Sequence, residues 1–451
     1  MDTKEPTPIR TMARQYRGPA AAALLAMLFL LGSTTSAAAE IFSLAQTIQT
    51  ALKENLELKI AWEEVQAAEY TRMARQTEFF PTFSASYEYT YHDQERRSLG
   101  ALTRPQDENS VAAKISQPLF TGLAITNQYK IAELESDLAR HRQQTAQRDI
   151  VFEAKNAYFS ILKAEKITAV AEQAVEQLSA NHKVARDFYQ VGMIPYNDLL
   201  KAEVELANAR QDRIVAENRL KISQTNFNKL LRRPINAPLT LVDIQDYSTL
   251  ELNLETCLET AKKERKELAI RDLQVEIAAR EVELTRSSHF PTITLEGTYF
   301  RNETGFAVGS GEPIGFIDDP DGWDISAMAT WELFKWGKTT SSVREKLSRL
   351  SQSRHRRSQI EDAIELEVKE AYLRTQDSES NIRAVEKAVE QAKENFRITE
   401  QRYTEQMATT TDVLDAQTLL SRTLTNYYNA LYDFKISKAS LYRAMGLEKR
   451  P

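Results

Sequence analysis

Few side chains in this sequence have the types and spacing that catalysis or metal binding requires. The five histidines are scattered along the chain, and no pair has the spacing of a metal-binding helix motif. Gly337, Lys338 and Thr339 match the end of a phosphate-binding loop, but Glu332 occupies the position of its first glycine. The single cysteine, Cys257, excludes an internal disulfide and a zinc site built from cysteines. We therefore expect no enzyme, no cofactor and no metal site, and we expect Cys257 to be a buried small side chain.

The composition favours long helices over a compact enzyme. The chain has 451 residues with 13 glycines and 13 prolines, each about 3% of the chain against typical usages of about 7% and 5%. A doubly wound enzyme needs a tight turn at every junction of strand and helix, so this scarcity argues against that class. The net charge is −6, so the composition gives no indication of nucleic-acid binding. The basic run from Arg354 to Arg357 is expected to be a solvated helix face.

The N-terminus has the three parts of a secretory signal peptide. Three arginines between residues 10 and 17 precede an apolar run over residues 20–31, and small residues follow up to an Ala-x-Ala site ending at Ala39. The apolar run is shorter than the roughly 20 residues that cross a bilayer, although an N-terminal anchor stays an alternative. We expect residues 1–39 to be removed. Since the remaining sequence has no candidate transmembrane helix, the mature protein is expected to be soluble outside the cytoplasm or a β-barrel.

The rest of the chain is a tandem duplication. The stretch from Ala51 to Leu58 matches the stretch from Ala261 to Leu268 at an offset of 210 residues. Further on the offset is 214 residues, and the matched pairs include Glu153 with Glu367, Tyr158 with Tyr372, Tyr189 with Tyr403, Met193 with Met407 and Asp198 with Asp412. We therefore expect a first repeat (40–232), a linker (233–253) and a second repeat (254–451).

Each repeat is predicted to contain a helix, two strands and then long helices. The expected elements are helices 44–79 and 254–288, strands 82–92, 110–120, 292–301 and 323–334, and long helices 123–190, 196–232, 338–404 and 409–446. Ser43 followed by Gln46 predicts a capping box at the first helix. A helix of about 68 residues is roughly 100 Å long at 1.5 Å per residue, so we expect rods with coiled-coil spacing rather than a compact domain.

The four predicted strands alternate apolar and polar residues, and the alternation is weaker in the second strand than in the others. Alternation over about ten residues suits a tilted membrane-spanning strand, and aromatic residues on the apolar face are typical of the girdles of outer-membrane barrels. Two soluble hairpins packed on the helices are the alternative. The residues that we assign to a membrane aromatic belt are Tyr87, Tyr89, Tyr91, Tyr299, Trp323 and Trp331.

Four strands cannot close a barrel, because an open sheet edge is not tolerated in lipid. The missing strands must come from further chains. A dimer would supply eight strands and fill its interior with side chains, whereas a trimer would supply twelve and leave a lumen. Inward-pointing polar faces favour the trimer and a water-filled pore. The expected fold class is an α+β membrane protein with four transmembrane strands per chain that complete a trimeric 12-stranded β-barrel.

The sequence resembles the TolC-type outer-membrane efflux proteins over residues 40–451. The segments that carry the resemblance are the repeated stretch at 51–58, Phe-Pro-Thr before the first strand of each half, Pro118-Leu-Phe-Thr-Gly122 and, most specifically, Tyr403 to Ala416. The resemblance implies a homotrimer in the outer membrane of a Gram-negative bacterium, whose β-barrel continues as a coiled-coil α-helical barrel through the periplasm. It also implies a passive exit duct for efflux or type I secretion, driven by an inner-membrane pump through a periplasmic adaptor protein.

The resemblance assigns roles to residues at the periplasmic end. Tyr403 matches the gate tyrosine of the family, Asp198 its hydrogen-bonding aspartate and Asn197 the neighbouring gate position. Asp412 and Asp415 match aspartates that face the pore constriction, where three copies would form a ring that attracts cations and crowding would raise some of their pKa values. The alternative for both aspartates is an exposed first turn of a helix. The alternative for Tyr403 is ordinary coiled-coil core.

Two helix-ending turns, 191–196 and 406–410, are the expected tips that contact the adaptor. The contact positions of the family match Gly192, Met193, Gln406 and Met407. The sequence departs from the family at Ala408, where the best-known member has an arginine that ties the gate. It also departs at Gln406, where the glycine that the first half keeps is missing. We therefore expect fewer ionic ties in this gate.

A soluble periplasmic adaptor or a structural coiled-coil protein is the alternative class. An adaptor would have a lipoyl-like or β-barrel domain that flanks one helical hairpin. In this sequence the predicted strands instead interrupt the helices in two symmetric halves.

Overall fold

Each half of the chain has the same main elements, as the duplication predicts, and among the described residues the first half has an additional short strand pair, Arg96–Ser98 with Ala101–Arg104. The computed structural model describes residues 40–98, 101–104, 106–244, 249, 251–304 and 321–448, so the expected signal peptide (1–39) lies outside the described residues. The first half contains β1 (Glu40–Phe42), α1 (Leu44–Glu54), α2 (Leu56–Thr77), β2 (Thr82–Tyr91), β3 (Arg96–Ser98), β4 (Ala101–Arg104), β5 (Asp107–Phe120), α3 (Ala124–Gln190) and α4 (Tyr196–Leu230). The second half contains β6 (Leu239–Leu241), α5 (Leu254–Glu264), α6 (Lys266–Arg286), β7 (Thr292–Thr304), β8 (Asp321–Thr330), α7 (Lys338–Thr404) and α8 (Thr410–Ala444).

The single first helix expected in each half is two helices in the structure. Asn55 and Arg265 adopt extended backbone conformations, with ψ of 133° and 109°, and each separates a short helix from a longer one. At the first break the side chain of Asn55 accepts a hydrogen bond from the Glu57 backbone N–H at 2.8 Å, which caps α2. The capping box predicted at Ser43 and Gln46 is confirmed.

The long helices α3 and α7 have 67 residues each and are therefore roughly 100 Å long, as predicted. Each turns back through a short tip into a 35-residue helix, α4 or α8. The resulting hairpins also pack on each other through α3 and α8. Among the described residues, no helix has the length and apolarity needed to cross a membrane.

The main sheet is antiparallel with the order β2-β5-β7-β8. The pairing of β5 with β7 joins the two halves of the chain, and β2 and β8 form the two edges. In one row of the register Phe83 lies beside Ile115, Gly297 and Ile325 in turn. β5 and β7 are longer than the strands predicted at 110–120 and 292–301, and the short β3–β4 pair lies between the strands predicted at 82–92 and 110–120.

In the part of the helical region that adjoins the sheet, four helices pack side by side in the order α2-α3-α6-α7. At mid-length of the long helices, a core contains large buried side chains from α3, α4 and α8, including Tyr158, Phe227 and Tyr432. The Tyr158 hydroxyl donates to the Val242 carbonyl at 2.5 Å, which fixes the linker against α3. Cys257 is fully buried in a second cluster around α5, as predicted.

A buried ion network ties the two halves together at the level of the helix breaks. Arg148 of α3 pairs with Glu267 of α6 at 2.7 Å, and Arg265 pairs with Glu367 of α7 at 2.8 Å. Arg148 and Arg265 are both less than a tenth exposed. Because buried charges are costly unless they are paired, the Arg148–Glu267 pair fixes the axial position of one half against the other. The Arg265–Glu367 pair holds the helix break against α7 within the second half.

Candidate functional site

One face of the sheet is apolar and exposed. The register places the apolar residues of all four strands on this face, so the alternation predicted from the sequence is continuous across the sheet. Phe83 is 78% exposed and Trp323 is 74% exposed. A contiguous apolar patch of this kind marks a surface that contacts lipid or another protein.

The tyrosine hydroxyls on this face form hydrogen bonds near the end of the sheet that is remote from the helices. Tyr87 donates to Asn109 at 2.7 Å, and Tyr89 donates to Asp107 at 2.6 Å. Tyr299 donates to Asp321 at 3.0 Å. The apolar rings of these tyrosines lie toward the middle of the sheet, and their hydroxyls and hydrogen-bond partners lie toward its remote end. A membrane–water boundary favours this arrangement.

The opposite end of the apolar face lies where the strands join the helices. Trp331, directly after β8, donates its indole N–H to the His289 carbonyl at 3.1 Å and stays 58% exposed. The other face of the sheet is polar, and there Lys114 forms an ion pair with Glu296 at 2.8 Å. The two faces of the sheet therefore suit two different solvents.

The two helical tips share one backbone geometry. In the first tip the Met193 N–H donates to the Phe188 carbonyl at 2.8 Å, and in the second the Met407 N–H donates to the Arg402 carbonyl at 2.7 Å. Both tips have a left-handed residue just before the methionine, with φ of +78° at Gly192 and +63° at Gln406. These are Schellman motifs, which end helices by satisfying their last carbonyls.

The structure brings the two predicted adaptor-contact tips together. The Gln406 side-chain amide donates to the Met193 sulfur at 3.3 Å. Met193 and Met407 are 56% and 58% exposed. The four predicted tip residues therefore form one exposed end of the molecule with two methionines on its surface.

Tyr403 is 2% exposed and lies in the core of the second hairpin. Its hydroxyl is 3.3 Å from the Thr410 hydroxyl, and its ring packs edge-on against Phe188 at 5.7 Å. Burial raises the pKa of the Tyr403 hydroxyl, the charge of Asp198 adds to this rise, and the Thr410 hydrogen bond lowers it. Asp198 itself accepts from Lys201 at 3.3 Å, so the predicted gate pair is close but Thr410 is the direct partner of Tyr403.

Asp412 caps the helix on which it lies. Its carboxylate accepts from the Thr409 backbone N–H at 2.8 Å and from the Thr409 hydroxyl at 2.7 Å. These hydrogen bonds hold the pKa of Asp412 below its usual value. Asp415 lies one turn further on, in a groove of about 380 Å³ between α4 and α8 that Asn197 also lines.

Sequence reasoning missed three residues that shape this end. Thr410 holds Tyr403, Lys201 reaches both Asp198 and Thr411, and Arg402 donates to the Met407 carbonyl at 3.2 Å. Thr409 followed by Asp412 is a cap signal of the same form as the one recognised at Ser43. The other contacts depend on the fold of the turn, which spacing alone does not give.

The chain combines an exposed apolar sheet with helical rods of roughly 100 Å, and the rods end in paired tips. These features define a class of protein, the envelope-spanning channel subunit. A sequence model of the outer membrane efflux protein family matches residues 47–231 and 257–447. The chain belongs to this family. It is a TolC-type outer-membrane protein of Gram-negative bacteria, in the class that forms exit channels for efflux or secretion.

Relatives and solved structures agree with this assignment. The outer membrane protein TolC of Salmonella enteritidis is 21% identical over 428 residues, which are 94% of this chain and 85% of that protein. The proteases secretion protein PrtF of Dickeya chrysanthemi is 21% identical over 83% of this chain and 82% of its own length. The Campylobacter jejuni CmeC outer membrane channel has the same fold, with a TM-score of 0.79 at 15% identity over 89% of this chain and 85% of that chain.

Proposed function

We propose that this chain forms a homotrimeric outer-membrane exit duct for an efflux or type I secretion machine. The observation that carries the proposal is the four-stranded sheet with one exposed apolar face and two open edges. In lipid, each unsatisfied backbone group costs several kcal/mol. Pairing of β2 with β8 of a neighbouring copy removes both edges, and three copies supply twelve strands around a lumen.

The proposed organisation follows the duplication. Residues 1–39 are a signal peptide, residues 40–232 and 254–451 are the two repeats, and residues 233–253 link them. The six belt residues lie at the membrane boundaries, and the polar face with Lys114 and Glu296 lines the pore. The helices continue the duct through the periplasm as a coiled-coil barrel.

The proposed partners are a periplasmic adaptor protein and an inner-membrane pump. Exposed methionines adapt to varied apolar partners. Met193 and Met407 are exposed on the two tips, and Gln406 of the second tip contacts Met193 of the first. The protein itself acts as a passive duct, and the pump supplies the energy. The Dickeya relative is a proteases secretion protein, which supports secretion as well as efflux as a role of the duct.

The proposed periplasmic gate is held by Tyr403, Asp198 and Asn197. In support, Tyr403 is buried at the tip and its hydroxyl has a partner across the turn. Tyr403→Phe removes the Thr410 hydrogen bond, so we expect higher conductance of the resting channel in planar bilayers. Tyr189→Phe, at the counterpart position of the first half, is the matched control and should leave conductance unchanged. Equal conductance of Tyr403→Phe and wild type would contradict the gate.

The proposed pore constriction is a ring of Asp412 and Asp415 from three copies. Such a ring attracts multivalent cations. Replacing both residues with alanine should weaken block by multivalent cations in conductance measurements. Because Asp412 also caps α8, Asp415→Asn is the matched variant that leaves the cap intact, and it should weaken the block in part. Undiminished block in both variants would contradict the ring.

Mass and shape test the duct as a whole. The mature protein extracted from outer membranes in mild detergent should have the mass of a trimer and a tail roughly 100 Å long. A monomer that leaves the membrane without detergent would overturn the proposal.

A further inference from the structure

A groove of about 540 Å³ lies between α6 and α7, and its walls are mainly basic and neutral polar side chains. Arg271 and Gln274 line this α6–α7 groove from α6, and Arg349 and Arg356 line it from α7. The volume falls within the range of about 300–1,000 Å³ that is typical of small-molecule pockets. None of these residues belongs to the sheet, the gate or the tips, so the duct proposed above gives the groove no role.

Two arginines lie at the same level of the groove. The Asp272–Arg357 ion pair, at 3.1 Å, joins α6 to α7. Arg271 is the neighbour of Asp272 in the sequence, and Arg356 is the neighbour of Arg357. Because Arg271 and Arg356 also line the same groove, their guanidinium groups approach it from opposite walls.

The charges of these two arginines are not balanced by ion pairs. Within the described part of the chain, neither Arg271 nor Arg356 has an ion-pair partner. Arg271 donates to the side-chain oxygen of Gln274 at 2.7 Å, which is a neutral acceptor. Glu281, the carboxylate that lines the groove, already accepts from Lys346 at 2.9 Å. Since like charges at one level repel each other, an anion between the two guanidinium groups would relieve an unfavourable arrangement.

The duplication shows that helix packing does not require these groups. The pair α2–α3 is the counterpart of α6–α7, and its matching positions hold mostly acidic or apolar side chains, whereas the groove has basic or neutral polar ones. The same fold therefore packs this helix pair without the polar lining. The matched positions are Ala61 for Arg271, Glu64 for Gln274, Glu135 for Arg349, Leu138 for Gln352, Ala139 for Ser353 and Arg142 for Arg356.

The first part of α7 has changed its charge in the same direction. Residues 338–357 contain seven lysines and arginines and one glutamate, whereas their counterparts at 124–143 contain three basic and three acidic residues. The whole chain has a net charge of −6, so this segment is a local concentration of positive charge on an acidic protein. Such a concentration raises the local density of anions.

The position of the groove favours a soluble anion over a lipid headgroup. Arg349 and Arg356 follow Lys338, the first residue of α7, by 11 and 18 positions, which is about 17 and 27 Å along a helix. In the duct proposed above, the membrane ends where the strands join the helices. The arginines of the groove then lie well inside the aqueous space beyond the headgroups.

We propose that the α6–α7 groove binds a small soluble anion with phosphate- or sulfate-type oxygens, which the guanidinium groups of Arg271 and Arg356 hold from opposite sides. The planar fork of an arginine matches such oxygens and forms strong charge-assisted hydrogen bonds. Arg349 pairs with Glu345 within α7, so it contributes less than the other two. The binding site is formed by a single chain and therefore does not depend on the proposed trimer. Neutral donors along the groove are Gln274, Gln352 and Ser353.

The basic run at 354–357 supplies a matched control. The sequence suggests that this run is a solvated helix face, and the structure divides it. Arg357 pairs with Asp272, and Arg356 lines the groove. Arg354 is exposed and lies outside the groove, so it has the same charge and nearly the same position on α7 without the proposed contact.

Titration with sodium pyrophosphate tests the site. In calorimetry at low ionic strength, the full-length mature protein should bind pyrophosphate saturably with one site per chain. Arg271→Ala, which installs the first-half residue, and Arg356→Gln should each weaken binding about tenfold or more, as expected for a lost charge-assisted hydrogen bond. Arg354→Gln should change the affinity less than about twofold. Absence of saturable binding, or an equal loss in Arg354→Gln, would overturn the site.

A variant that keeps both arginines separates binding from folding. Gln274→Glu installs the first-half residue Glu64 and places a carboxylate beside Arg271, so it should weaken pyrophosphate binding about tenfold through competition for that guanidinium. Arg271→Lys keeps the charge without the fork and should lose less affinity than Arg271→Ala. Unchanged affinity in Gln274→Glu would contradict the proposal.

Arginine modification locates the bound anion. Phenylglyoxal labels accessible arginines, and mass spectrometry of peptides measures the rate at each residue. Pyrophosphate should slow the labelling of Arg271 and Arg356 about tenfold and leave Arg354 and Arg142 unchanged, because only the first two contact the anion. Equal protection of all four would show general attraction to a basic surface and would overturn the site. A monomeric protein that still protects Arg271 and Arg356 would overturn the duct and leave the site intact.

Discussion

The two helical tips have the same backbone and reach it with different residues. Gly192 takes the left-handed position of the first tip in open space, so only its φ of +78° demands glycine. Gln406 takes the same position in the second tip at +63°, where a side chain costs about 1–2 kcal/mol. The second tip has what the first lacks: a capping box at Thr409 and a buried tyrosine. A duplicated turn can therefore change its key residue when neighbouring contacts offset the strain.

The largest expected difference between the tips comes from their matched tyrosines. Tyr403 is 2% exposed and Tyr189 is 40% exposed. Tyr403→Ala should destabilise its hairpin by about 3 kcal/mol, because it leaves a cavity, and Tyr189→Ala by less than about 1 kcal/mol. Hydrogen exchange of the amides in each tip measures both values. Equal losses would show that the two tips are held alike.

Exchanging the left-handed residues should have opposite signs in the two tips. Gly192→Gln should destabilise the first tip by about 1–2 kcal/mol, because glutamine at positive φ is strained. Gln406→Gly should stabilise the second tip by up to about 1 kcal/mol. Hydrogen exchange of residues 186–198 and 400–412 measures the two changes. A destabilised Gln406→Gly protein would mean that the Gln406–Met193 contact outweighs the strain.

The capping box should matter at the second tip alone. Thr409→Ala removes the hydroxyl that accepts from the Asp412 N–H, so we expect a loss of about 1 kcal/mol. Thr409→Ser keeps the hydroxyl and should restore the wild-type value. Pro195, the counterpart of Thr409, makes no side-chain cap, so no equivalent variant exists in the first tip. An undisturbed Thr409→Ala tip would show that Tyr403 burial alone holds it.

The smallest expected effect is a pH dependence confined to the second tip. Asp412 has a lowered pKa in the folded chain, so its cap contributes stability above the unfolded pKa and loses it as the pH falls through the folded value. Protection of the second tip should therefore decline slightly below pH 4 more than that of the first. Asp412→Asn should abolish the difference. If protection of the second tip rose on acidification instead, the Asp412 cap would not be the source of the pH dependence.

Repetition and alternation predicted most of the fold. The matched stretches predicted the two halves, and the alternation predicted four strands with an apolar face. The scarcity of glycine and proline predicted the long helices, which have 67 residues each in the structure. The breaks at Asn55 and Arg265 were missed, because the helical sequence pattern runs through both positions. Asn55 has the side chain of an N-cap, but Arg265 has no cap signal, so only packing explains the second break.

The sequence predicted where the candidate site residues lie along the hairpins, but it did not predict their contacts. Tyr403, Asp198, Asn197 and the tip residues all lie at the end of the hairpins. Tyr403 and Thr410 are seven positions apart and lie on either side of the turn. They meet because Gln406 adopts the left-handed conformation. A glutamine at that position gives no signal of positive φ, so the contact could not be derived from spacing.

The open edges of the sheet have a kinetic consequence. In the proposed trimeric duct, a single chain with two unpaired edge strands would meet the full penalty of the bilayer alone, so insertion would wait for encounters between chains. The rate of channel formation should then rise more steeply than linearly with the concentration of newly exported protein. A cell could therefore export a low level of this protein and still hold few working channels, until the periplasmic pool passes a threshold.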